Sequence, residues 1–147
     1  MQGSNALINQ DLYFKNVSFK NTLLNTYPIP LTNTARGLMC PAVNNVEGVR
    51  ATNGDITVRF GKRVRGLALL QDYIDAYDPD GDSYEVDIFT DSTYTIVKRT
   101  YAFTNLNFKY PTADQVSDFG ANQATIYIKI YKLNAVIGRG YASQISI

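Results

Sequence analysis

Alternation of apolar and polar positions organises the 147-residue chain, and it is clearest toward the C-terminal end. Ile126, Ile128 and Ile130 alternate with Tyr127, Lys129 and Tyr131, the period of a strand with one buried face and one solvated face. Gly138-Arg139-Gly140 follows. Two glycines accept positive φ at no steric cost, so the pattern predicts a hairpin with this tripeptide at its tip and a return strand over 141–147. A terminal hairpin this apolar requires a second sheet to cover it.

The stretch upstream supplies that sheet. Residues 43–50 have strand character, and Asn53-Gly54 is a hairpin signal. Ile56, Val58 and Phe60 then alternate with Thr57 and Arg59. Residues 83–90 repeat the pattern, with Tyr84, Val86 and Ile88 inward and Glu85 and Asp87 on the solvated face. Two further strands are predicted over 93–100 and 103–110, the second with Leu106, Phe108 and Tyr110 on one face, and Pro111 ends it. Thr112-Ala113-Asp114-Gln115 matches a capping box and predicts a helical turn through Val116 to Phe119, stopped by Gly120. Between the second and third strands, 61–82 is irregular, and its 67–74 segment reads equally as a short helix or an extra strand. Roughly six or seven short strands separated by turn signals predict an all-β antiparallel sandwich.

Residues 1–40 read differently. Residues 11–19 have strand character, but Pro28 and Pro30 then fix an extended, unladdered backbone. This predicts an N-terminal arm, 1–40, ahead of a sandwich over 41–147. Its apolar positions are Leu12, Phe14, Val17, Phe19, Tyr27 and Ile29. Such an arm folds back as an edge strand on its own domain, lies on a neighbouring subunit, adding strand hydrogen bonds to an exposed edge, or is disordered.

Composition narrows the function classes. A net charge of +1 with 18% charged residues gives no field for nucleic acid or anionic lipid. The single cysteine, Cys40, allows no internal disulfide. No apolar run has membrane-spanning length, and residues 1–5 lack the basic and apolar regions of a signal peptide; Asn16-Val17-Ser18 is a glycosylation sequon only in an exported chain. Without histidine, Ser-His-Asp and Cys-His catalysis and histidine zinc sites are excluded. A carboxylate pair of the glycosidase kind is the remaining catalytic design, and nothing in the pattern builds a cleft around one. The expectation is a non-enzyme with no cofactor.

The succession Pro41-Ala42-Val43-Asn44-Asn45-Val46, Gly54-Asp55-Ile56-Thr57-Val58-Arg59-Phe60, Tyr84-Glu85-Val86-Asp87-Ile88, Ile128-Lys129-Ile130-Tyr131 and Gly138-Arg139-Gly140-Tyr141-Ala142-Ser143 resembles a fibronectin type III domain. The five segments stand where strands A, B, C, F and G of that family would be. The ending is similar, more narrowly, to the fibronectin-like modules of tail-tip and baseplate proteins of tailed bacteriophages. Phe60 replaces the family's buried tryptophan, the tyrosine of strand F is either Tyr127 or Tyr131, and the first forty residues lie outside the resemblance.

Several features compete for function. Asp78, Asp80 and Asp82 have the spacing of an oxygen-ligand calcium loop, but Glu85 comes too early to complete an EF-type site. A tight turn with Asp, Pro and Gly in type I positions explains the same residues. Arg59, Lys62, Arg63 and Arg65 precede an acidic stretch containing Asp72, Asp75 and Asp78. These charges either pair within the subunit or join adjacent copies, setting register more than affinity. Tyr73, Tyr77, Tyr94, Tyr101, Tyr131 and Tyr141 serve as core and cross-strand partners or as a sugar-stacking surface. The Gly138-Arg139-Gly140 tip lacks the Asp of an adhesion tripeptide.

The resemblance implies a structural or attachment component of a tailed-phage virion, at the tail tip or baseplate, working by protein–protein assembly. Its partners would be other virion proteins and copies of itself, with a host-surface glycan or protein at the loop ends, and neither nucleic acid nor membrane insertion. Assembly would take place in the host bacterial cytoplasm. The alternatives are a capsid decoration protein and a carbohydrate-binding module.

Overall fold

The computed structural model describes residues 7–65, 78 and 80–147. The chain forms two compact units, 1–37 and 38–147.

In the first unit, β1 (Asp11–Phe14) pairs antiparallel with β2 (Ile29–Thr32), setting Leu12 opposite Leu31 and Phe14 opposite Ile29. The proline-rich segment is therefore laddered, contrary to the sequence expectation. The reason lies in register. Asn33 N–H donates to the Gln10 carbonyl, and ladder bonds recur at every second pair. Pro30, opposite Tyr13, falls at a non-bonded pair where its missing N–H is not needed.

The second unit is an antiparallel sandwich. One sheet has three strands in the order β3 (Asn44–Arg50), β4 (Ile56–Gly61), β7 (Asn107–Tyr110). The other has four in the order β6 (Val97–Phe103), β5 (Tyr84–Phe89), β8 (Tyr127–Asn134), β9 (Gly138–Ser146). In chain order these are the A-B-E and C′-C-F-G sheets of a fibronectin type III-like sandwich, and β3, β4, β5, β8 and β9 fall on the segments that suggested A, B, C, F and G. Ile56, Val58, Tyr84, Val86, Ile88, Ile128 and Ile130 form the buried centre, as their alternation predicts. Phe60, near the expected tryptophan position, meets Tyr84 edge-on at 5.1 Å and Phe103 at 6.0 Å, a geometry that suits the ring quadrupoles.

The structure shifts four local expectations. The strand predicted over 93–100 begins at Val97, because Tyr94 takes positive φ (53°) in the preceding turn. Leu106 is exposed ahead of the short β7 instead of sharing the buried row with Phe108 and Tyr110. The capping box does not form. Pro111 is the N-cap of α1 (Thr112–Phe119) and offers no side-chain bond; Thr112 Oγ1 donates to the Asn53 carbonyl, and buried Gln115 donates to the Gly54 carbonyl. Both side chains tie the helix to the β3–β4 turn. Finally, Gly138-Arg139-Gly140 is not the hairpin tip. Residues 135–137 make the turn, with Asn134 Oδ1 accepting from the amides of Val136 and Ile137. Gly138, at φ 77°, follows the turn as the first residue of β9, opposite Asn134.

Candidate assembly surfaces

The hairpin unit carries the apolar positions singled out from the sequence. Phe14 and Ile29 share one face of the β1–β2 ladder with Leu12 and Leu31. Phe14, Ile29 and Leu31 are all more than half exposed, while Leu12 is partly covered. Val17, Phe19 and Tyr27 lie in the connection, where Phe19 is fully exposed and Tyr27 89% exposed. Sequence reasoning missed Tyr13, Leu23, Leu24 and Leu31, which are also exposed. Leu31 was findable: two residues beyond Ile29 in an extended segment, it lies on the same face. A two-stranded ladder with this much uncovered apolar surface is marginal by itself.

The three aspartates of the candidate calcium loop have protein partners. Asp78 receives Lys132, whose side chain is wholly buried and also donates to the Arg63 carbonyl. Asp80 accepts two bonds from Arg65, at 3.2 and 3.0 Å, and one from Asn134 at 2.6 Å. Asp82 accepts from the Tyr84 hydroxyl and pairs with Lys62 at 3.6 Å. The loop itself is a turn: Asp78 Oδ1 takes the Asp80 amide, and Gly81 has φ 69°. Among the described residues no group of three or more His, Cys, Asp or Glu converges for a metal. The Arg65 contacts hold the Asp80 carboxyl below its ordinary range. Cys40 is fully buried beside it, and burial, with the neighbouring Asp80 carboxylate second, pushes its thiol up to about 11.

These contacts divide the charge patches. Lys62 and Arg65 pair within the chain, with Asp82 and Asp80. Arg59 and Arg63 are exposed, and Asp72 and Asp75 lie outside the described residues, as do Tyr73, Tyr77 and the 67–74 segment. Arg63, Arg65, Met39, Pro41, Val64 and Tyr141 line a shallow hollow of about 460 Å³.

Arg139, expected at a turn tip, clamps the outer face of the four-stranded sheet. Its guanidinium bonds Asp87 at 2.6 and 2.9 Å and Glu85 at 2.7 Å, and lies 4.5 Å above the Tyr131 ring. Asp87, also bonded by Thr100, is only 2% exposed. The expectation of solvated carboxylates fails there because register brings Arg139 across β8 to β5. The remaining tyrosines differ in their surroundings. Tyr94 packs edge-on to Phe89 and Tyr127, with Lys129 over its ring; Tyr101 bonds Asp114 and joins Arg99 and Asp118 in fastening α1 to β6; Tyr141 is half exposed at the hollow.

Sheet edges are unequally protected. Along β9, Tyr141 N–H donates to the Cys40 carbonyl and Ser143 Oγ to the Val43 carbonyl, so residues 40–43 cover that edge. β3 carries an irregularity between Asn44 and Glu47, with Asn45 at φ 47°, and the Ile147 side chain packs on its inner face at Gly48. β7 has four residues and ends at Pro111. Among the described residues β6 is the end strand of its sheet, with one irregularity near Lys98 and regular pairing from Arg99 to Phe103. No backbone partner lies on its outer side among the described residues.

No protein-family model matches the chain, and no curated protein matches it in sequence. Among solved structures it is similar to the FN5 domain of Drosophila Lar, with a TM-score of 0.44 and 13% identity over 74% of this chain and 95% of that one. It is also similar to domains d3-d4 of the rat CD45 extracellular region, with a TM-score of 0.48 and 12% identity over 100% of this chain and 67% of that one. The fibronectin type III-like assignment rests on strand order and register.

Proposed function

We propose that the chain is a non-catalytic structural component that works by protein–protein assembly, with the N-terminal hairpin unit as its docking element. The observation that carries this reading is the uncovered apolar surface of that unit: Phe14, Ile29 and Leu31 on the ladder, Phe19, Leu24 and Tyr27 beside it. Exposed patches of this kind mark interaction sites on stable proteins. A fibronectin-like sandwich with satisfied polar networks then serves as the rigid body that the hairpin connects to its neighbours. Within this class, the resemblance of the Gly138–Ser143 segment to tail-tip and baseplate modules favours a place in a tailed-phage virion.

Native mass spectrometry of the full chain, beside a Phe14→Asp/Leu31→Asp variant, tests the reading. The wild-type chain should form a defined oligomer at micromolar concentration that the variant loses, while the thermal melt of the sandwich stays unchanged. A wild-type monomer at every concentration would overturn it. A monomer that is retained on immobilised glycans would point instead to the carbohydrate-binding alternative.

A further inference from the structure

We propose that β1 of the hairpin unit adds as a strand to the open edge of β6 in a second copy of the chain. This rests on the assembly reading and specifies its two faces.

The donor edge is chosen by backbone chemistry. In the β1–β2 ladder the outward-pointing amides of β2 belong to Pro30 and Thr32, and Pro30 has none to offer. On β1 the outward groups are those of Asp11 and Tyr13, each with both N–H and C=O. Only the β1 edge can continue a ladder without a gap.

The acceptor edge is chosen by elimination. Residues 40–43 cover β9, β3 is bulged and regular only from Glu47 to Arg50, and β7 is short and stopped by proline. Among the described residues the regular run of β6 from Arg99 to Phe103 has no backbone cover, and it contains no proline; its cationic Arg99 is held inward by Asp118 instead of guarding the edge. Ile96 and Val97 lie exposed at the same end, giving an apolar hairpin face something to meet.

Area and charge favour a second copy as the occupant. Tyr13, Phe14, Phe19 and Tyr27 together offer roughly 500–700 Å² of exposed surface, close to the ~800 Å² per partner of a stable interface once the exposed leucines are added. Asp11 is the one acidic side chain among the described residues of the hairpin unit, and Lys98 is exposed on β6, opposite signs that would fix register. Because donor and acceptor are different surfaces of one chain, the contact is heterologous and builds a ring or a filament.

The test mixes two full-length single variants under mild oxidation. Tyr13→Cys chains are combined with Ala102→Cys or Thr100→Cys chains, and in parallel with Val49→Cys chains on β3; buried Cys40 stays in place. Neighbouring strands bring such residues within disulfide reach, and the effective concentration of a docked pair should give roughly tenfold or more heterodimer with the β6 variants than with the β3 variant. Equal linkage to β3, or none to β6 while native mass spectrometry still shows an oligomer, overturns the β6 edge and leaves the assembly reading standing. A monomeric wild-type chain overturns both.

Discussion

Replacing Gly140 by alanine tests the local geometry of β9 most sharply. A Cβ built at Gly140 would lie 2.6 Å from the Cβ of Cys40 and closer still to its carbonyl oxygen. Both are parts of the strap that covers the β9 edge, and neither is the end of a flexible side chain. The strap must move, which costs about 1–3 kcal/mol as an overpacked contact. Its displacement also breaks the 2.9 Å bond from Tyr141 N–H to the Cys40 carbonyl, worth about 0.5–1.5 kcal/mol. The expected loss is therefore about 2–4 kcal/mol. For a unit of this size that lowers Tm by roughly 6–20 °C, measurable by circular dichroism and by the urea midpoint. Gly138→Ala is the control: its Cβ meets nothing within 4 Å, and its φ of 77° costs only about 1–2 kcal/mol. If Gly140→Ala proves milder than Gly138→Ala, Gly140 is not packed against Cys40 and the placement of the strap is wrong.

Three further outcomes follow from the buried polar groups. Lys132→Met leaves the Asp78 carboxylate without its cation and should lower stability by about 3–5 kcal/mol in urea titration, with partial recovery when Asp78→Leu is added. Bonds from Arg65 and Arg99 hold the carboxyls of Asp80 and Asp118 below their ordinary range; an unfolded aspartate titrates near ~3.9, so the stability these groups supply is complete above that pH and is lost as pH falls through the lower folded values. The urea midpoint should therefore drop on acidification below about pH 4, and Asp118→Asn should flatten that drop. Cys40, buried and pushed up to about 11, should resist a thiol reagent at neutral pH in the native protein and react at the rate of unfolding in denaturant; immediate reaction would contradict its burial.

The alternating rows were legible because a one-sided strand writes its period directly into sequence. Ile56, Val58, Tyr84, Val86, Ile128 and Ile130 all point inward as that period requires. What sequence hid were features decided by partners far along the chain. Gly138-Arg139-Gly140 looked like a turn because glycine permits reversal, but Asn134 caps a turn three residues earlier, and Gly140 lacks a side chain because Cys40 occupies the space. Thr112 and Gln115 have capping-box spacing, yet the β3–β4 turn competes for both side chains and takes them. Asp78 and Asp80 have ligand spacing, and their cations come from Lys132 and Arg65, neither of which local spacing reveals. The apolar hairpin positions were legible as residue types; their exposure depended on a ladder that the prolines argued against.

Hydrogen exchange of the full chain at a series of concentrations tests the assembly role of the hairpin unit most directly. A lone two-stranded ladder opens readily, so the amides of Asp11 and Tyr13, which point away from β2, should exchange without protection in dilute solution. Docking gives them acceptors. Their exchange should slow steeply as concentration rises through the assembly transition, together with the amides on the outer side of β6. Fast exchange of these amides at every concentration, or protection that does not change on dilution, would contradict the claim that the hairpin unit joins one copy to the next.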